Sequence, residues 1–276
     1  MRGARRGPLP GFGLALGFTL SYLGALVLLP FAALLLRALQ LTPARFWELV
    51  STPRTLAAFR LSFGAALTAA AVNLLCGLLV AWVLERYRFP GRRLLDALVD
   101  LPFALPTAVA GIALTALWDE RGWLGALVAP LGIRVANTPL GVLVALVFIG
   151  LPFVVRTVQP VLRGLEPALE EAAASLGASR RQAFARVLLP ELRPAALTGF
   201  VLAIARGLGE YGSVIFIAGN LPERTEIAPL LIMIRLEEYD LAGATAIAAT
   251  FLAASLLLLF AVNLLSWRQR RRVGAA

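Results

Sequence analysis

The sequence predicts an all-α, polytopic membrane protein: a bundle of six transmembrane helices without a separate soluble domain. Hydrophobic residues make up 59% of the 276 residues, charged residues only 15%, and the mean hydropathy is +0.82. A typical soluble domain carries roughly 25% charged residues. Several uncharged runs also reach the length of about 20 residues that a helix needs to cross the hydrocarbon of a bilayer.

Each apolar run is expected to form a helix, because backbone polar groups in lipid must be bonded within a helix or a closed barrel. The runs lack the alternation of barrel strands. The first run is too long for the apolar core of a signal peptide and is predicted to be retained as a span. The predicted spans are Phe12–Leu36, Leu61–Leu84, Leu94–Trp118, Thr138–Val155, Ala195–Ala218 and Leu241–Trp267.

The arginines outside the spans fall into two unequal groups. Seventeen lie in the two tails and in the loops after the second and fourth spans, whereas eight lie in the remaining loops. Loops rich in positive charge stay in the cytoplasm. Six spans with both termini cytoplasmic satisfy this rule at every loop.

The residue types exclude several kinds of site. All 26 cationic residues are arginine, and the chain has no histidine. A Walker A loop requires lysine, and Ser-His-Asp or Cys-His sites require histidine. The single cysteine, Cys76, lies in an apolar run. We therefore expect no catalytic site, no metal site and no cofactor in this chain. The net charge of +10 is attributed to membrane topology and not to nucleic acid binding.

The longest polar loop, 156–194, is predicted to contain two short helices. The first is rich in alanine and ends near Gly177, a common helix stop. Ser179 can cap a second helix over Arg180–Leu189, and Pro190 ends that helix or opens the next. Such a segment is either an ordinary connector or a rigid surface for another protein.

This loop carries a pattern that resembles the EAA motif of ABC importer permeases, E-A-A-x3-G-x9-I-x-L-P, with valine in place of the isoleucine. The matching residues are Glu171, Ala172, Ala173, Gly177, Val187, Leu189 and Pro190. The resemblance implies that segment 170–190 couples the chain to a separate ATPase subunit. We expect a positive φ at Gly177, and the Ala172–Ala173 face against the ATPase.

Four further stretches resemble the sulfate/thiosulfate and molybdate permeases of that family. They are Asp100–Gly111, Pro152–Leu162, Gly209–Asn220 and Arg235–Asp240. The last matches the pattern R-L-x-E-[FY]-D of the T subunit of sulfate/thiosulfate permeases. The resemblance covers about residues 55–272 and departs from the family at Tyr211 and in the loop 119–136.

The resemblance implies a type I ABC importer permease fold and three regions. These are an N-terminal segment with the first span and an outer loop (1–54), the permease domain (55–267) and a basic cytoplasmic tail (268–276). It further implies a subunit of an ATP-driven sulfate/thiosulfate importer in the inner membrane of a prokaryote. The expected partners are the lipid bilayer, a second permease in a heterodimer, two ATPase subunits and an extracytoplasmic sulfate-binding protein.

Three alternative functions stay open from the sequence. The same kind of importer can carry molybdate or tungstate, and a secondary transporter would need no ATPase. A membrane-embedded enzyme would need metal ligands or an acid pair within the spans, and only Asp96 and Asp100 offer one.

Charged and proline residues inside the predicted spans are the candidates for the translocation pathway. Arg206 and Glu210 are four residues apart and share a helix face, either as a structural pair or with Arg206 lining the anion path. Arg206 is the only cation in any predicted span. Asp100 is expected to pair with Arg206 or with a partner subunit. Pro102 and Pro106 are expected to break or kink the third span.

Overall fold

A computed structural model of the protein describes residues 11–273, and the side-chain surroundings in that range except at Pro167 and residues 265–273. This part of the chain is helical and contains no β-strand. In chain order the helices are α1 (Phe12–Leu39), α2 (Pro43–Val50), α3 (Pro53–Arg86), α4 (Arg92–Val99), α5 (Leu101–Ala104), α6 (Thr107–Trp118), α7 (Trp123–Val128), α8 (Pro139–Gly164), α9 (Pro167–Ser175), α10 (Arg180–Leu208), α11 (Val214–Ile217), α12 (Ala228–Glu237) and α13 (Leu241–Val273).

Five of these helices are long and apolar enough to cross a membrane: α1, α3, α8, α10 and the Leu241–Leu264 part of α13. They correspond to the first, second, fourth, fifth and sixth predicted spans. The predicted class, an all-α membrane helix bundle, is confirmed.

The predicted third span, Leu94–Trp118, is not one continuous helix. It consists of α4, α5 and α6, with breaks at Asp100 and at 105–106. Pro102 lies in the first turn of α5, and Pro106 directly precedes α6. Proline has no N–H with which to continue a preceding helix, which explains why new helices start at these points. The expected interruption by Pro102 and Pro106 is confirmed.

The predicted fifth span, Ala195–Ala218, starts and ends too late. Helix α10 runs from Arg180 to Leu208, so the second loop helix and the fifth span are one helix, and Glu210 lies beyond its end. A capping box between Ser179 and Gln182 fixes its first turn. The predicted fourth span ends too early, because α8 continues to Gly164 and includes residues assigned to the loop.

A single π-helical turn, Phe184–Leu188, lets α10 pass Pro190 without a break. The N–H of Leu189 donates to the carbonyl of Phe184, five residues earlier. Pro190 offers no N–H for a regular α-helical hydrogen bond, and the π turn directly before it carries the helix past this missing bond. The prediction that Pro190 separates two helices is therefore wrong.

The centre of the bundle is formed by α3, α8 and α10, which pack most extensively against one another. Small residues allow this close approach. A Cβ atom added to Gly77 of α3 or to Gly199 of α10 would lie 2.7 Å from an atom of Val154 in α8. Helices in lipid associate closely where their interfaces carry such small residues.

At the end where α3 begins, an ion pair joins this helix to the segment before α12. Arg54 donates to both carboxylate oxygens of Glu226, at 2.8 Å from Nε and 2.7 Å from Nη2. The Glu226 side chain is only 1% exposed. Nearby, the N–H of Ala228 donates to Ser62 Oγ at 2.8 Å. Paired bonds of this forked kind fix orientation as well as distance.

Candidate coupling segment and translocation pathway

The EAA-like motif forms the turn between α9 and α10. Gly177 has a φ of +79°, as predicted, which a residue without a Cβ adopts at little cost. The N–H of Gly177 donates to Ala174 O at 2.9 Å, and the N–H of Ala178 donates to Ala173 O at 3.0 Å. These two bonds make a Schellman turn, which ends α9 and directs the chain into α10.

The motif residues differ in exposure. Glu171 and Ala172 are exposed, whereas Ala173 is buried within the chain. Only Ala172 of the predicted Ala172–Ala173 face can therefore meet another protein, which corrects that expectation. Leu176, at the tip of the turn, is 89% exposed. The remaining motif residues, Val187, Leu189 and Pro190, are half-buried in α10.

Segment 170–190 contacts the final turns of α3. Arg86 forms an ion pair with Glu170, with 2.9 Å between Nη2 and Oε1. The Arg86 guanidinium also lies 5.7 Å from the ring centre of Trp82. The Trp82 ring meets the ring of Phe184 edge-on at 5.3 Å. Charge and aromatic contacts thus hold the segment against α3.

The sequence did not predict the polar cluster around Arg156, because this residue was assigned to a loop. Arg156 lies in α8 and donates to both Asp100 carboxylate oxygens, at 2.7 and 2.5 Å. It also donates to Oδ1 and the backbone oxygen of Asp96, at 2.6 and 2.8 Å, and to Gln159 Oε1 at 2.5 Å. The expectation that Asp100 pairs with Arg206 or with a partner subunit is wrong, because Arg156 engages its carboxylate.

Glu85 of α3 extends this cluster towards segment 170–190. Its side chain is 5% exposed, and its Oε1 accepts bonds from Gln159 Nε2 at 3.0 Å and Arg163 Nη2 at 2.7 Å. Its Oε2 lies 3.4 Å from Arg92 Nη2. The signal for this site was the spacing of Arg156, Gln159 and Arg163, a polar stripe at three- and four-residue intervals on an apolar helix.

Arg206 and Glu210 form the pair that their spacing predicts, with 2.5 Å between Nη1 and Oε2. Glu210 is almost fully buried, and its Oε1 accepts the N–H and the hydroxyl of Ser213, both at 2.8 Å. Arg206 is not the only cation within the long helices, since α3 contains Arg54 and Arg60, and α8 contains Arg156.

The segment after α10 packs closely against the start of α6. A Cβ atom on Gly111 would lie 2.5 Å from Ser213 O, and one on Gly212 would lie 2.2 Å from Thr107 Oγ1. The third span therefore contacts the Glu210 region through α6 and the Arg156 cluster through Asp100. Among the described residues, no hydrogen bond or ion pair joins Arg206 to Asp100.

Comparison with known proteins places this architecture in a family. The family model described as "Binding-protein-dependent transport system inner membrane component" matches residues 73–273. The chain belongs to this family. The sulfate transport system permease protein CysT of Salmonella typhimurium is 52% identical over 265 residues, which cover 96% of each chain. The protein of the same name from Synechococcus elongatus is 50% identical, covering 92% of this permease and 91% of the relative.

The fold of the permease also matches solved ABC importers. A bacterial alginate ABC transporter, in complex with its alginate pentasaccharide-bound periplasmic protein, aligns with a TM-score of 0.73 at 18% identity. The alignment covers 92% of the permease and 93% of that chain. The predicted type I importer permease fold and the resemblance to sulfate-type ABC permeases are confirmed. This permease is therefore a multi-pass membrane component of a transport system.

The motif stretches of this family meet in space. The stretch 100–111 contacts the stretch 152–162 through the pair between Asp100 and Arg156. It contacts the stretch 209–220 where a Cβ on Gly111 would meet Ser213 O. Residues far apart in the sequence thus build one continuous region along the broken third span.

Proposed function

We propose that this chain is the transmembrane permease subunit of an ATP-driven ABC importer for sulfate or thiosulfate and forms half of its translocation pathway. The observation that carries the proposal is the motif turn at Gly177. It is a closed Schellman turn with an 89%-exposed Leu176 at its tip, and it rests on α3 through the ion pair between Glu170 and Arg86. Relatives about half identical over nearly the whole chain are named for sulfate transport, which favours sulfate over molybdate or tungstate.

The proposed complex contains this chain, a second and similar permease, two ATPase subunits and an extracytoplasmic sulfate-binding protein. Both termini and segment 170–190 lie on the cytoplasmic side, as the arginine distribution indicates. The ATPase subunits supply the nucleotide chemistry, for which this chain lacks the Walker A lysine.

The proposed mechanism is alternating access driven by the ATPase subunits. When they close on ATP, they displace segment 170–190. The contacts of Glu170 with Arg86 and of Phe184 with Trp82 pass this displacement to α3. Because α10 is continuous from Arg180, the same displacement reaches the segment 209–213 and the packed start of α6.

We assign Arg206, held by Glu210, to the anion pathway, together with the break in the third span at Asp100, Pro102 and Pro106. A divalent anion in a low-dielectric bundle needs a compensating charge, because each uncompensated charge adds several kcal/mol to the barrier. The Arg206 side chain is 31% exposed, whereas its partner is buried. The planar guanidinium keeps further donors for an oxyanion beyond the one that Glu210 accepts.

Uptake of labelled sulfate, thiosulfate and molybdate by the reconstituted complex tests the substrate, and Gly177→Asp tests coupling. A side chain at this positive φ costs about 1–3 kcal/mol of local strain, so we expect loss of ATPase association or of uptake. The control is Gly164→Asp, at an exposed helical position with open space around it. Unchanged association and uptake in Gly177→Asp would show that the turn has no coupling role.

A pair of substitutions tests the pathway role of Arg206. We expect Arg206→Gln to abolish uptake while the complex still assembles, and the additional Glu210→Gln not to restore it. Recovery of transport in the double variant would remove Arg206 from the pathway and leave the two residues as a structural pair.

A further inference from the structure

The Arg156 cluster lies between two parts of the permease that the proposed mechanism must connect. On one side is the end of α3, where Glu85 belongs to the cluster and the adjacent Arg86 contacts Glu170 of segment 170–190. On the other side is the break in the third span, where Asp96 and Asp100 bind Arg156. The adjacent residues Glu85 and Arg86 of α3 therefore join two sets of polar contacts, one to the segment and one to the break.

Within this chain, helix α4 makes little apolar contact, and Arg156 supplies much of its polar contact with the other helices. Its side chains Leu94, Leu95 and Leu98 are 65%, 48% and 48% exposed, and Val99 is its buried residue. Few residues of this chain pack against α4, so the polar bonds of Arg156 make up a large share of its attachment to the other helices of the chain.

Arg156 also satisfies the end of α4. The N–H of Asp100 donates to Ala97 O, three residues back, and not to the carbonyl of Asp96, which would be its acceptor in a continuing α-helix. Arg156 Nη2 donates to this carbonyl at 2.8 Å. A cation at a helix C-terminus is also favoured by the helix dipole. One side chain thus caps α4, binds the carboxylate at the break and joins both to α8.

We propose that Arg156 is a positioning residue for transport, which ties the break in the third span to the Glu85 cluster so that displacement of segment 170–190 reaches the break. This inference rests on the proposed coupling role of that segment. The cluster is charge-balanced, with Glu85, Asp96 and Asp100 facing three arginines, Arg92, Arg156 and Arg163. Because Glu85 is bonded to other members of the cluster, a displacement of Glu85 moves those residues as well.

The first test separates assembly from coupling. The contacts of segment 170–190 with α3 do not involve Arg156, so Arg156→Gln should leave association with the ATPase unchanged. We expect stimulation of ATPase activity by the sulfate-loaded binding protein, and sulfate uptake, to fall about tenfold or more, within the range of typical coupling free energies. Arg93→Gln, an exposed arginine on α4, is the matched control. Unchanged stimulation in Arg156→Gln would overturn the proposal.

A distance measurement reports the motion itself. The native Cys76 is replaced by alanine, and spin labels are placed at Leu79 of α3 and Leu98 of α4, which are 64% and 48% exposed. In the otherwise unchanged complex we expect the label distance to differ between the nucleotide-free and the ATP-trapped states. In Arg156→Gln we expect a broad distribution that ATP no longer changes, and a preserved response would overturn the proposal.

Two further variants distinguish the proposed link through Arg156 from an effect of charge balance alone. Arg156→Gln combined with Asp96→Asn and Asp100→Asn removes the unpaired charges. It does not restore the link between the break in the third span and the Glu85 cluster, so coupling should stay low. Recovery of coupling in this triple variant would overturn the proposal. If Arg156→Gln does not assemble, Arg156→Lys is used, because it keeps the charge without the forked bonds. Full coupling in Arg156→Lys would also overturn the proposal. Failure of Gly177→Asp to uncouple would instead reject the underlying coupling role.

Discussion

The unequal burial of Arg206 and Glu210 predicts unequal costs for neutralising each partner. Glu210 is 2% exposed and Arg206 is 31% exposed. Arg206→Gln leaves a buried carboxylate with only the two bonds from Ser213, and removing one partner of a buried ion pair costs about 3–5 kcal/mol. Because the Ser213 bonds remain, we expect the lower end, about 3 kcal/mol. Glu210→Gln keeps an acceptor for Ser213 and leaves a guanidinium that is partly exposed, so we expect about 1 kcal/mol.

Thermal unfolding of the detergent-solubilised complex measures this difference. One kcal/mol shifts the Tm of a chain of this size class by roughly 2–4 °C, so the expected decreases are roughly 6–12 °C for Arg206→Gln and 2–4 °C for Glu210→Gln. The double variant should resemble Glu210→Gln, because no unpaired charge remains. Equal decreases for the two single variants, or a larger one for Glu210→Gln, would refute the burial argument.

Three further predictions concern packing and polar contacts. Gly111→Ala should lower the Tm by an amount equivalent to about 1–3 kcal/mol, because its Cβ would lie 2.5 Å from a backbone oxygen. Gly64→Ala, with open space around it, should not lower it. Glu226→Gln should lower the Tm by breaking the forked pair with Arg54, and Glu226→Asp should lose less. Asn73→Ala should change the stability by less than about 1 kcal/mol, because both buried amide atoms lack hydrogen-bond partners. A decrease equivalent to more than about 2 kcal/mol in Asn73→Ala would show that the amide has a stabilising partner.

The presence of the long apolar helices follows largely from local chemistry, and the sequence therefore predicts it, whereas the ends of the helices needed correction. Long uncharged runs must be helical in lipid, and Pro102 and Pro106 cannot donate the N–H that a continuing helix needs. The same argument fails at Pro190, where α10 continues through a π turn, and at Pro152 and Pro160, which lie inside α8. Local rules thus predict where the hydrogen-bond pattern of a helix is disturbed, but not whether the helix ends there.

The polar clusters were predictable only where the partners are close in sequence. Arg206 and Glu210 are four residues apart, and Glu210 still reaches Arg206 although it lies just beyond the end of α10. Arg156 binds residues 56 and 60 positions away, so its role depends on how α8 packs against the broken third span. The burial of Ala173 likewise depends on packing, whereas the positive φ of Gly177 follows from the lack of a side chain.

The unbroken course of α10 determines how far the permease extends from the bilayer. At 1.5 Å per residue, its 29 residues form a rod of about 44 Å, whereas the hydrocarbon is about 30 Å thick. At the average tilt of about 20°, about two helical turns protrude beyond the hydrocarbon when the other end of the rod lies at its far boundary. Since Arg180 begins the rod, the Gly177 turn is held out in the aqueous phase, where a water-soluble protein can approach it without displacing lipid.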